Sequence, residues 1–436
     1  MTVQHIPERL PERALRAVGP TTPPDPTAWP GLDGVPNSAR ARLLAPGARL
    51  LLGRVAHRLG LLVGTGPEAD IVLHRPEEFY ARLGADGLVG FGEAYLTGAW
   101  DADDLAGVLT TMCARIDSLV PAWLQRLRAA YVSRPPHTER NTETNTRGNI
   151  AHHYDLSNDL FRLFLDPTLS YSAALFDTPL VDRGGHLVAT APPGDQSLEE
   201  AQVRKTERIL DEARVGPGSR VLEIGTGWGE LAIRAAARGA TVRSVTLSSE
   251  QLALAQERID AAGHGDRVSV ELLDYRALDG SYDAVVSVEM VEAVGHEYWP
   301  TYFRTIDALL APGGRAVVQA ITMPHARMLA TRNTWTWINK YIFPGGFLPS
   351  VEAIEQTTAE HTSLRVVRRL SFGSHYAETL RRWDGTFRAA ADEVLGLGFD
   401  ETFLRMWHFY LEYSRAGFAA GYLDVNQVTL EREDNR

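Results

Sequence analysis

A carboxylate followed by three alternating glycines is the feature of this sequence that most directly implies chemistry. The run VLEIGTGWGELAIRAAARGA, residues 221–240, starts as a short apolar strand, turns through Gly225, Gly227 and Gly229, and continues as an alanine-rich helix. Glycines let a backbone approach a ligand closely, and a helix N-terminus offers free N–H groups. The pattern departs from the dinucleotide fingerprint G-x-G-x-x-G. Because Glu223 favours a positively charged ligand over a pyrophosphate, the pattern indicates S-adenosylmethionine, and a purely structural strand–helix corner is the alternative.

Helix and strand patterns alternate from about residue 200 to the strand GRAVVQAIT, with short connections between them. Such alternation predicts an α/β fold in which helices wrap a parallel sheet. Ligands of these folds bind at the carboxyl ends of the strands. The segments that follow predicted strands, and are therefore expected around one crevice, are Glu223–Gly229, Thr246–Gln251, Asp274–Arg276, Glu289–Glu292 and Gln319–Ile321.

The composition restricts the class of protein. The 436 residues carry a net charge of −11, which argues against a nucleic-acid partner, and the hydrophobic content of 44% is that of an ordinary globular protein. One cysteine, Cys113, excludes a disulfide framework, and no histidines and acidic residues stand at metal-ligand spacing, so no metal is expected. With no apolar run long enough to span a bilayer and no signal peptide, a cytoplasmic location is predicted.

Shifts in composition divide the chain into four parts. Residues 1–37 are rich in proline and predict a flexible arm, and residues 38–132 predict a small domain of mixed helices and strands. The polar, aperiodic residues 133–149 predict a linker, which leaves residues 150–436 as the catalytic domain. Within that last part, residues 177–196 have the character of a surface insertion or lid.

An arginine-rich helix is predicted near the start of the small domain. Leu51, Val55 and Leu59 recur there at helical spacing, with the arginines elsewhere on the helix. Residues 39–60 contain no acidic residue, although the chain as a whole is acidic, and their arginines are Arg40, Arg42, Arg49, Arg54 and Arg58. Two interpretations remain open: a packed helix with solvated arginines, or a surface helix that lies on an anionic membrane.

Several motifs resemble the cyclopropane-fatty-acyl-phospholipid synthase family, which are S-adenosylmethionine-dependent C-methyltransferases, from about residue 70 to about residue 428. The specific segments are NIAHHYDLSNDLFRLFLDPTLSYS (149–172), VLEIGTGWG, DYRALDGSYDAVVSVEMVEAVG and WINKYIFPGGFLPSVEAI (337–354). FGEAYLTGAWDADDL (91–105) resembles the N-terminal domain of the synthases, which separates them from shorter relatives that act on mycolic acids. The resemblance implies a Rossmann-like methyltransferase domain with a smaller, lipid-associated N-terminal domain.

Carried over position by position, the resemblance implies a binding site for S-adenosylmethionine at the strand ends. Tyr171 and Ser172 correspond to contacts with the methionine portion, and Tyr275 and Arg276 to contacts with the adenine. For Tyr171, a tyrosine of the core is the alternative. The remaining implied contacts are Glu223, Gly225, Thr226, Gly227, Gly229, Thr246, Leu247 and Gln251.

Family members typically hold a bicarbonate ion as the base, and this chain retains only part of that site. Glu292, Tyr376 and the backbone position Ile321 correspond to the family pattern. The family's Cys is Ala173 here, and its His is Gln319. Glutamine donates and accepts hydrogen bonds but cannot act as a base near neutral pH.

The same predicted site has gained a carboxylate, because Glu289 stands where the family has a glycine. Two nearby carboxylates, Glu289 and Glu292, are expected to raise the pKa of one of them. We hypothesise that Glu289 replaces bicarbonate as the base or reshapes the site around the ion. The alternative is that Glu289 contacts the cofactor or points to solvent.

The resemblance implies methyl transfer to a cis double bond in a phospholipid acyl chain. This reaction passes through a carbocation, which requires a dry apolar tunnel, aromatic or negative groups, and a base. Closure to a cyclopropane is the favoured product, and the alternative is a methylene branch that a partner reductase reduces to a 10-methyl chain. A small-molecule N-methyltransferase and a non-catalytic lipid-binding protein are further alternatives, disfavoured by the N-terminal domain and by the intact glycine loop, respectively.

The implied partners are a phospholipid with an unsaturated acyl chain and an anionic membrane surface. The protein is accordingly expected to associate peripherally with the inner face of the membrane. A homo-oligomer formed through the N-terminal domain is suggested by the resemblance alone.

Overall fold

The computed structural model describes residues 23–115, 157–192 and 194–432, so the predicted linker 133–149 lies outside the described residues. The chain divides into two compact units, Met1–Ala130 with Trp383–Tyr413, and Tyr131–Arg382 with Ser414–Arg436. The division differs from the predicted one, because Trp383–Tyr413 belongs with the N-terminal unit. Its aromatic side chains pack there, as when the ring of Phe409 lies 5.2 Å from that of Tyr95.

The N-terminal stretch of the first unit combines helices with a three-stranded sheet in the order β1-β2-β3. Its elements are α1 (Ala39–Leu59), β1 (Val63–Gly64), β2 (Ile71–Leu73), α2 (Pro76–Asp86), α3 (Leu88–Leu96), β3 (Trp100–Asp101) and α4 (Leu105–Ala114). The rings of Phe79, Phe91 and Trp100 pack against one another in its core. The mixed α+β character predicted for this region matches these elements.

Part of the predicted flexible arm is fixed to this unit by a buried arginine. Arg82 on α2 is 1% exposed and pairs with Glu78 at 3.0 Å. Its guanidinium also donates to the carbonyl oxygens of Gly31, Leu32 and Gly34, at 3.2, 3.2 and 2.8 Å. A buried guanidinium needs acceptors for its N–H groups, and this segment supplies three of them. Residues 31–34 are therefore packed rather than loose.

Helix α1 contains the arginine-rich segment and leaves a wide face exposed. Leu52 and Ala56 are buried, which fixes the inner side of the helix. The leucines on the outer side are between 42% and 79% exposed and comprise Leu43, Leu44, Leu50 and Leu51. The helix thus packs on one side and presents both leucines and arginines on the other. No helix within the described ranges combines the length and the apolar character needed to cross a bilayer.

The second unit is built on a nine-stranded sheet in the order β4-β5-β11-β12-β10-β9-β6-β7-β8. From residue 157 onward the elements in chain order are α5 (Asn158–Phe164), β4 (Leu180–Asp182), β5 (Leu187–Ala189), α6 (Leu198–Glu212), β6 (Arg220–Ile224), α7 (Glu230–Ala237), β7 (Thr241–Thr246), α8 (Ser249–Ala261), β8 (Val268–Leu272), β9 (Tyr282–Val288), α9 (Trp299–Leu309), β10 (Leu310–Thr322), α10 (His325–Thr331), α11 (Trp337–Tyr341), α12 (Val351–His361), β11 (Leu364–Ser371), α13 (Gly373–Ala389), α14 (Ala391–Gly396), α15 (Glu401–Ala419) and β12 (Asp424–Arg432). Strands β10, β9, β6, β7 and β8 are mutually parallel, and β12 pairs antiparallel with both β10 and β11.

Helices cover both faces of the parallel strands, as the alternation of the sequence predicts. Neighbouring residues of a strand point to opposite faces. Val221 accordingly packs in a cluster with residues of α6, α7 and α8, whereas Leu222 packs in another with residues of α9 and α12. Burial on both faces explains why these strands are almost continuously apolar.

The segment 177–196 forms a hairpin of β4 and β5 that extends the edge of the large sheet. Leu187 and Val188 of β5 pair with Leu370 and Ser371 of β11. His375 holds both ends of the hairpin, because its Nδ1 accepts from Phe176 N at 3.0 Å and its Nε2 lies 2.8 Å from the oxygen of Thr190. The predicted insertion is therefore part of the sheet.

Candidate active site

The predicted cofactor loop connects β6 to α7. Gly225, Gly227 and Gly229 all have positive φ, at +99°, +53° and +90°. A Cβ on Gly225 would lie 2.6 Å from Met290 Cγ, so the turn requires glycine at this position. Gly229 is the N-cap of α7, and the helix therefore begins directly at the loop. The loop has the open backbone that a closely held ligand requires.

Glu223 lies near the end of β6 and is 3% exposed. Its Oε2 is 2.5 Å from Ser244 Oγ, which in turn is 2.7 Å from Thr226 Oγ1. Burial raises the pKa of Glu223 to about 8, although the hydrogen bond from Ser244 and the charge of Lys205 lower it. A cationic group of a ligand would stabilise the ionised form. These residues therefore fit the positively charged end of S-adenosylmethionine.

Neutral polar side chains follow β7, where many methyltransferases carry an acidic residue for the ribose. Thr246 Oγ1 lies 2.9 Å from Gln251 Oε1, and both residues are buried. Leu247 between them is half-buried. Ser248 caps α8 by accepting a hydrogen bond from Gln251 N, which fixes the start of the helix.

Tyr275 and Arg276 lie on a short 3-10 turn after β8. The guanidinium of Arg276 is paired with Asp274 at 2.6 Å, and it lies over the rings of Tyr275 and Tyr298, at 5.5 and 5.6 Å from their centroids. The Tyr275 ring packs edge-on against Tyr302, and within the described residues its hydroxyl has no hydrogen-bond partner. Burial raises the pKa of Tyr275 to about 12. A planar, polar wall suited to an adenine results.

The loop that carries Tyr171 and Ser172 is held by buried polar residues of α6. Lys205 Nζ donates to Ser172 Oγ at 2.8 Å, and Gln202 Nε2 donates to the oxygens of Ser170 and Ser172 at 3.2 and 2.9 Å. The ring of Tyr171 packs edge-on at 5.1 Å from that of Phe161. This segment is thereby fixed in position before any ligand binds.

Glu289 accepts hydrogen bonds from three different parts of the chain. Its Oε1 accepts from Ala173 N at 2.9 Å and from Gln319 Nε2 at 2.8 Å. Its Oε2 accepts from the hydroxyl of Tyr376 at 3.1 Å. Burial raises the pKa of Glu289, and these hydrogen bonds together with the charge of Lys205 lower it in part. The three donors lie at the positions that the resemblance assigns to the bicarbonate site.

The backbone of Glu289 is in the left-handed region, at φ +52°. For a residue with a Cβ this conformation costs about 1–2 kcal/mol, and glycine adopts it readily. The resemblance places a glycine at this position, so the turn after β9 has kept its shape while the residue has changed. A strained residue that makes three side-chain hydrogen bonds indicates a function for that side chain.

Glu292 lies one turn further and is 8% exposed. Its Oε1 accepts a hydrogen bond from Ile321 N, whereas Oε2 has no hydrogen-bond partner within the described part of the chain. Burial, followed by the nearby charge of Glu289, raises the pKa of Glu292 to about 8. The predicted pair of interacting carboxylates is therefore present, with Glu292 protonated near neutral pH.

A bicarbonate ion does not fit the place that the resemblance implies. The donors available there are Ala173 N, Gln319 Nε2 and the Tyr376 hydroxyl, and the Glu289 carboxylate accepts from all three. A carboxylate and bicarbonate have the same planar arrangement of anionic oxygens. The side chain of Glu289 therefore takes up the hydrogen bonds of donors at the positions that the resemblance assigns to the ion.

Sequence reasoning missed the residues that support this site from beneath. Lys205 and Gln202 are 4% and 0% exposed, and both share the buried side of α6 with Ile209. Polar residues on the apolar side of an amphipathic helix were the available signal, because such groups need partners when buried. Gln427 on β12 also supports the site, because its amide nitrogen donates to Gln319 Oε1 at 3.0 Å. It carried no comparable signal, since its partners are remote in the sequence.

Comparison with known proteins gives a consistent result. The model of the family described as mycolic acid cyclopropane synthetase matches residues 141–428. The tuberculostearic acid methyltransferase UfaA1 of Mycobacterium tuberculosis is 50% identical over 424 residues, which cover 95% of this chain and 97% of that protein. The cyclopropane-fatty-acyl-phospholipid synthase of Escherichia coli is 33% identical, over 86% of this chain and 91% of its own.

Solved structures agree with these relatives. The mycolic acid cyclopropane synthase CmaA1, in complex with SAH and CTAB, matches with a TM-score of 0.58 and 30% identity, over 68% of this chain and 99% of its own. The cyclopropane synthase MmaA2 from Mycobacterium tuberculosis matches with a TM-score of 0.58 and 32% identity, over 68% of this chain and 98% of its own. Coclaurine N-methyltransferase matches at 16% identity and shares the fold alone. The chain belongs to the mycolic acid cyclopropane synthetase family and is an S-adenosylmethionine-dependent methyltransferase.

Proposed function

We propose that the protein methylates a cis double bond in the acyl chain of a phospholipid, with the Glu289 carboxylate as the base, and that its product carries a methylene branch. The observation that supports this most directly is the environment of Glu289. Ala173, Gln319 and Tyr376 direct their hydrogen bonds at one carboxylate, at the position where the family pattern has an exchangeable anion. The base is then part of the protein chain.

The reaction requires a proton acceptor that survives next to a cation. S-adenosylmethionine, when bound, supplies an electrophilic methyl group to the alkene. The resulting carbocation in the acyl chain must lose one proton, and Glu289 is the anionic acceptor at this site. The Gln319 amide is no base near neutral pH, and the Tyr376 hydroxyl already donates its hydrogen to Glu289, so both act as hydrogen-bond donors. The negative charge of Glu289 also stabilises the cation before the proton is lost.

The product depends on whether a hydride shift takes place before the carbocation loses its proton. If the added methyl group loses its proton while its bonding pair closes onto the neighbouring cationic carbon, a cyclopropane forms. If hydride first shifts between the two alkene carbons, loss of the same proton leaves an exocyclic methylene group. A base on a side chain has a fixed distance to the acyl chain, and a base that is held too far away to remove the proton at once leaves time for the hydride shift.

The similarity to UfaA1 moves our preference from the cyclopropane, favoured from the sequence, to the methylene branch. That relative is named a tuberculostearic acid methyltransferase and is 50% identical, against 33% for the cyclopropane-fatty-acyl-phospholipid synthase. The substituted positions Ala173, Glu289 and Gln319 agree with this choice, because they alter the base that a cyclopropane synthase uses. A separate reductase would supply the two electrons that convert the methylene group to a methyl branch.

A product assay with matched variants tests the proposal. The protein is incubated with S-adenosylmethionine and vesicles of cis-unsaturated phosphatidylglycerol, and the released fatty acids are identified by gas chromatography–mass spectrometry. We expect a methylene-branched chain that hydrogenates to a 10-methyl acid. The variant E289Q is expected to lose at least about a hundredfold in turnover, the usual contribution of a general base, with little change in the affinity for S-adenosylhomocysteine. The nearby exposed Glu297 provides the control, as E297Q.

Two results would contradict parts of this proposal. A saturated ring that resists mild hydrogenation would assign the cyclopropane product. Turnover of E289Q within tenfold of the wild type, combined with loss of wild-type activity in bicarbonate-free buffer, would exclude Glu289 as the base.

We also propose that helix α1 brings the protein to an anionic membrane surface on the cytoplasmic side, as the lipid-associated part of the first unit. Its exposed leucines lie among arginines, and the helix carries no acidic residue within a chain of net charge −11. Apolar side chains flanked by arginines suit the boundary between headgroups and acyl chains. An oligomer through this unit stays a prediction from the resemblance.

Vesicle binding with matched charge reversals tests the membrane proposal. Arg42, Arg54 and Arg58 are chosen because the guanidinium of Arg49 lies over the Tyr80 ring. Their replacement by glutamate is expected to weaken binding to phosphatidylglycerol vesicles at least about tenfold, since each basic residue near such a surface contributes about 1 kcal/mol. The control reverses the same number of exposed arginines elsewhere, at Arg183, Arg267 and Arg304. Equal binding by both triple variants would contradict a role for α1.

A further inference from the structure

A chain of side-chain hydrogen bonds runs from α6 through β12 to the predicted base. Arg208 Nη1 donates to Gln427 Oε1. Gln427 Nε2 donates to Gln319 Oε1 at 3.0 Å, and Gln319 Nε2 donates to Glu289 Oε1 at 2.8 Å. Gln427 and Gln319 are 1% and 0% exposed, so water does not compete for their amide groups.

The chemistry of the first residue fixes the direction of every bond in this chain. Arginine has only donors, so the end of the Gln427 amide that faces Arg208 must be its oxygen. The nitrogen of Gln427 then faces Gln319 and requires an acceptor there, which is the oxygen of that amide. The nitrogen of Gln319 consequently faces Glu289.

The reverse orientation of the Gln319 amide would be unfavourable at two places at once. Its oxygen would face the Glu289 carboxylate, and its nitrogen would face the nitrogen of Gln427. An isolated buried amide has no such preference, because its two ends have the same shape. The orientation of Gln319 is therefore set from both ends, by Glu289 and Ala173 on one side and by Gln427, which does not touch the carboxylate, on the other.

We propose that Gln427, oriented by Arg208, is a positioning residue that turns the amide nitrogen of Gln319 towards Glu289 and so keeps the carboxylate of Glu289 ready to accept a proton. This inference rests on the proposed role of Glu289 as the base. It assigns a function to Gln427, which lies outside the cofactor loop and the anion site.

Other charged and titratable groups also face Glu289 and remain in place when Gln427 is changed. They are Lys205 on α6, Glu292 on the same turn and the hydroxyl of Tyr376 on α13. Lys205 and Tyr376 stabilise the carboxylate, and Glu292, whose own pKa is raised to about 8, is protonated near neutral pH. A shift of the acid limb that a neutral substitution of Gln427 also produces is then attributable to the amide of Gln319.

The test is the variant Q427E. A carboxylate at this position keeps its partner Arg208 but has no N–H for Gln319, so the Gln319 amide loses its fixed orientation. We expect the acid limb of the pH profile of kcat to move up by about one unit and kcat on that limb to fall about tenfold, since a hydrogen bond to a charged group is worth about that shift. The KM for S-adenosylmethionine is expected to stay within about twofold.

The control is N426L, at the neighbouring residue of β12, whose side chain points to the opposite face of the sheet. Asn426 is also buried, and its amide nitrogen donates to Thr322 Oγ1 at 2.9 Å on that face. A loss of general stability would affect the control as well, whereas only substitution of Gln427 is expected to shift the pH profile. Because Q427E also adds a negative charge near Glu289, the neutral variant Q427L, which likewise has no N–H for Gln319, is assayed beside it. A shift in Q427E but not in Q427L would assign the effect to the added charge and would contradict the positioning role. Should Q427E fail to fold, R208Q removes the fixed donor and is expected to give a smaller shift in the same direction.

A second readout separates this inference from the role of Glu289 in catalysis. The difference in the free energy of unfolding between the wild type and E289Q, followed against pH, reports the pKa of Glu289 without turnover. Repeating the measurement in the Q427E background should give a pKa about one unit higher. An unchanged pKa of Glu289 together with an unchanged acid limb would overturn the positioning role of Gln427. An active E289Q would instead overturn the role of Glu289 as the base. In that case the pKa measurement alone would test the positioning role.

Discussion

Glu289 and Gln319 are joined by two hydrogen bonds, one between their backbones and one between their side chains. Glu289 N donates to the oxygen of Gln319, and Gln319 Nε2 donates back to Glu289 Oε1, each at 2.8 Å. The backbone bond directly follows the last residue pair of the parallel strands β9 and β10, in which Gln319 is opposite Val288. Two of the three substituted positions of the family's anion site are therefore direct neighbours that are hydrogen-bonded to each other.

Restoring the family glycine at residue 289 is expected to make the enzyme depend on added bicarbonate. In E289G the left-handed backbone at φ +52° suits the new residue, so the protein should fold. The donors Ala173 N, Gln319 Nε2 and Tyr376 would then face an empty space of the size of the lost carboxylate. Turnover should fall at least about a hundredfold in bicarbonate-free buffer and recover in part as bicarbonate is added.

The companion variant E289G/A173C/Q319H restores the other two family residues. It is expected to recover more activity than E289G at the same bicarbonate concentration. The wild type, assayed in parallel, should be indifferent to bicarbonate. Rescue of neither variant, with both folded and binding S-adenosylhomocysteine, would argue that Glu289 does not stand in for the ion.

The position of Glu289 and Gln319 could be predicted from the sequence, because strand ends of a parallel sheet converge at one edge. The same reasoning located Glu223 and Thr246 correctly at the carboxyl ends of β6 and β7. The orientation of Glu289 could not be predicted, since it depends on a positive φ and on three donors from separate segments.

The role of Gln427 could not be predicted from the sequence for a different physical reason. Gln427 lies 108 residues after Gln319, on a strand that runs antiparallel to its neighbour, and no spacing rule connects such positions. The packing of residues 31–34 against Arg82 was missed in the same way. A proline-rich composition predicts disorder, but the backbone carbonyls of any segment can satisfy a buried guanidinium.

Binding of S-adenosylmethionine is expected to tighten as the pH rises from 6 to 7.5. Burial raises the pKa of Glu223 to about 8, so the free protein binds a proton at this carboxyl group below that pH. A cationic ligand favours the ionised carboxylate, and binding must therefore release the proton. The affinity should rise by up to about tenfold per pH unit below the pKa of the free protein.

Titration calorimetry in buffers of different ionisation enthalpy measures this proton release directly. The variant E223Q cannot ionise and should lose both the release and the pH dependence, with weaker binding throughout. Its buried partner Ser244 provides the control, because S244A removes a hydrogen bond and leaves the carboxyl group. Proton release that persists undiminished in E223Q would assign the titration to another group.

Replacing Arg82 by methionine is expected to loosen residues 31–34 and to destabilise the first unit by about 3 kcal/mol. The substitution keeps an unbranched side chain in the core but removes the donors to Gly31, Leu32 and Gly34 and leaves Glu78 without this partner. Removing one member of a buried ion pair is costly because the remaining charge stays desolvated.

Limited proteolysis should then cut the N-terminal segment at an early stage, while thermal unfolding reports the loss of stability. The exposed Arg42, changed likewise to methionine, should leave both readouts as in the wild type. If R82M resists the protease as well as R42M does, the segment is held by packing of Leu32 and not by the arginine.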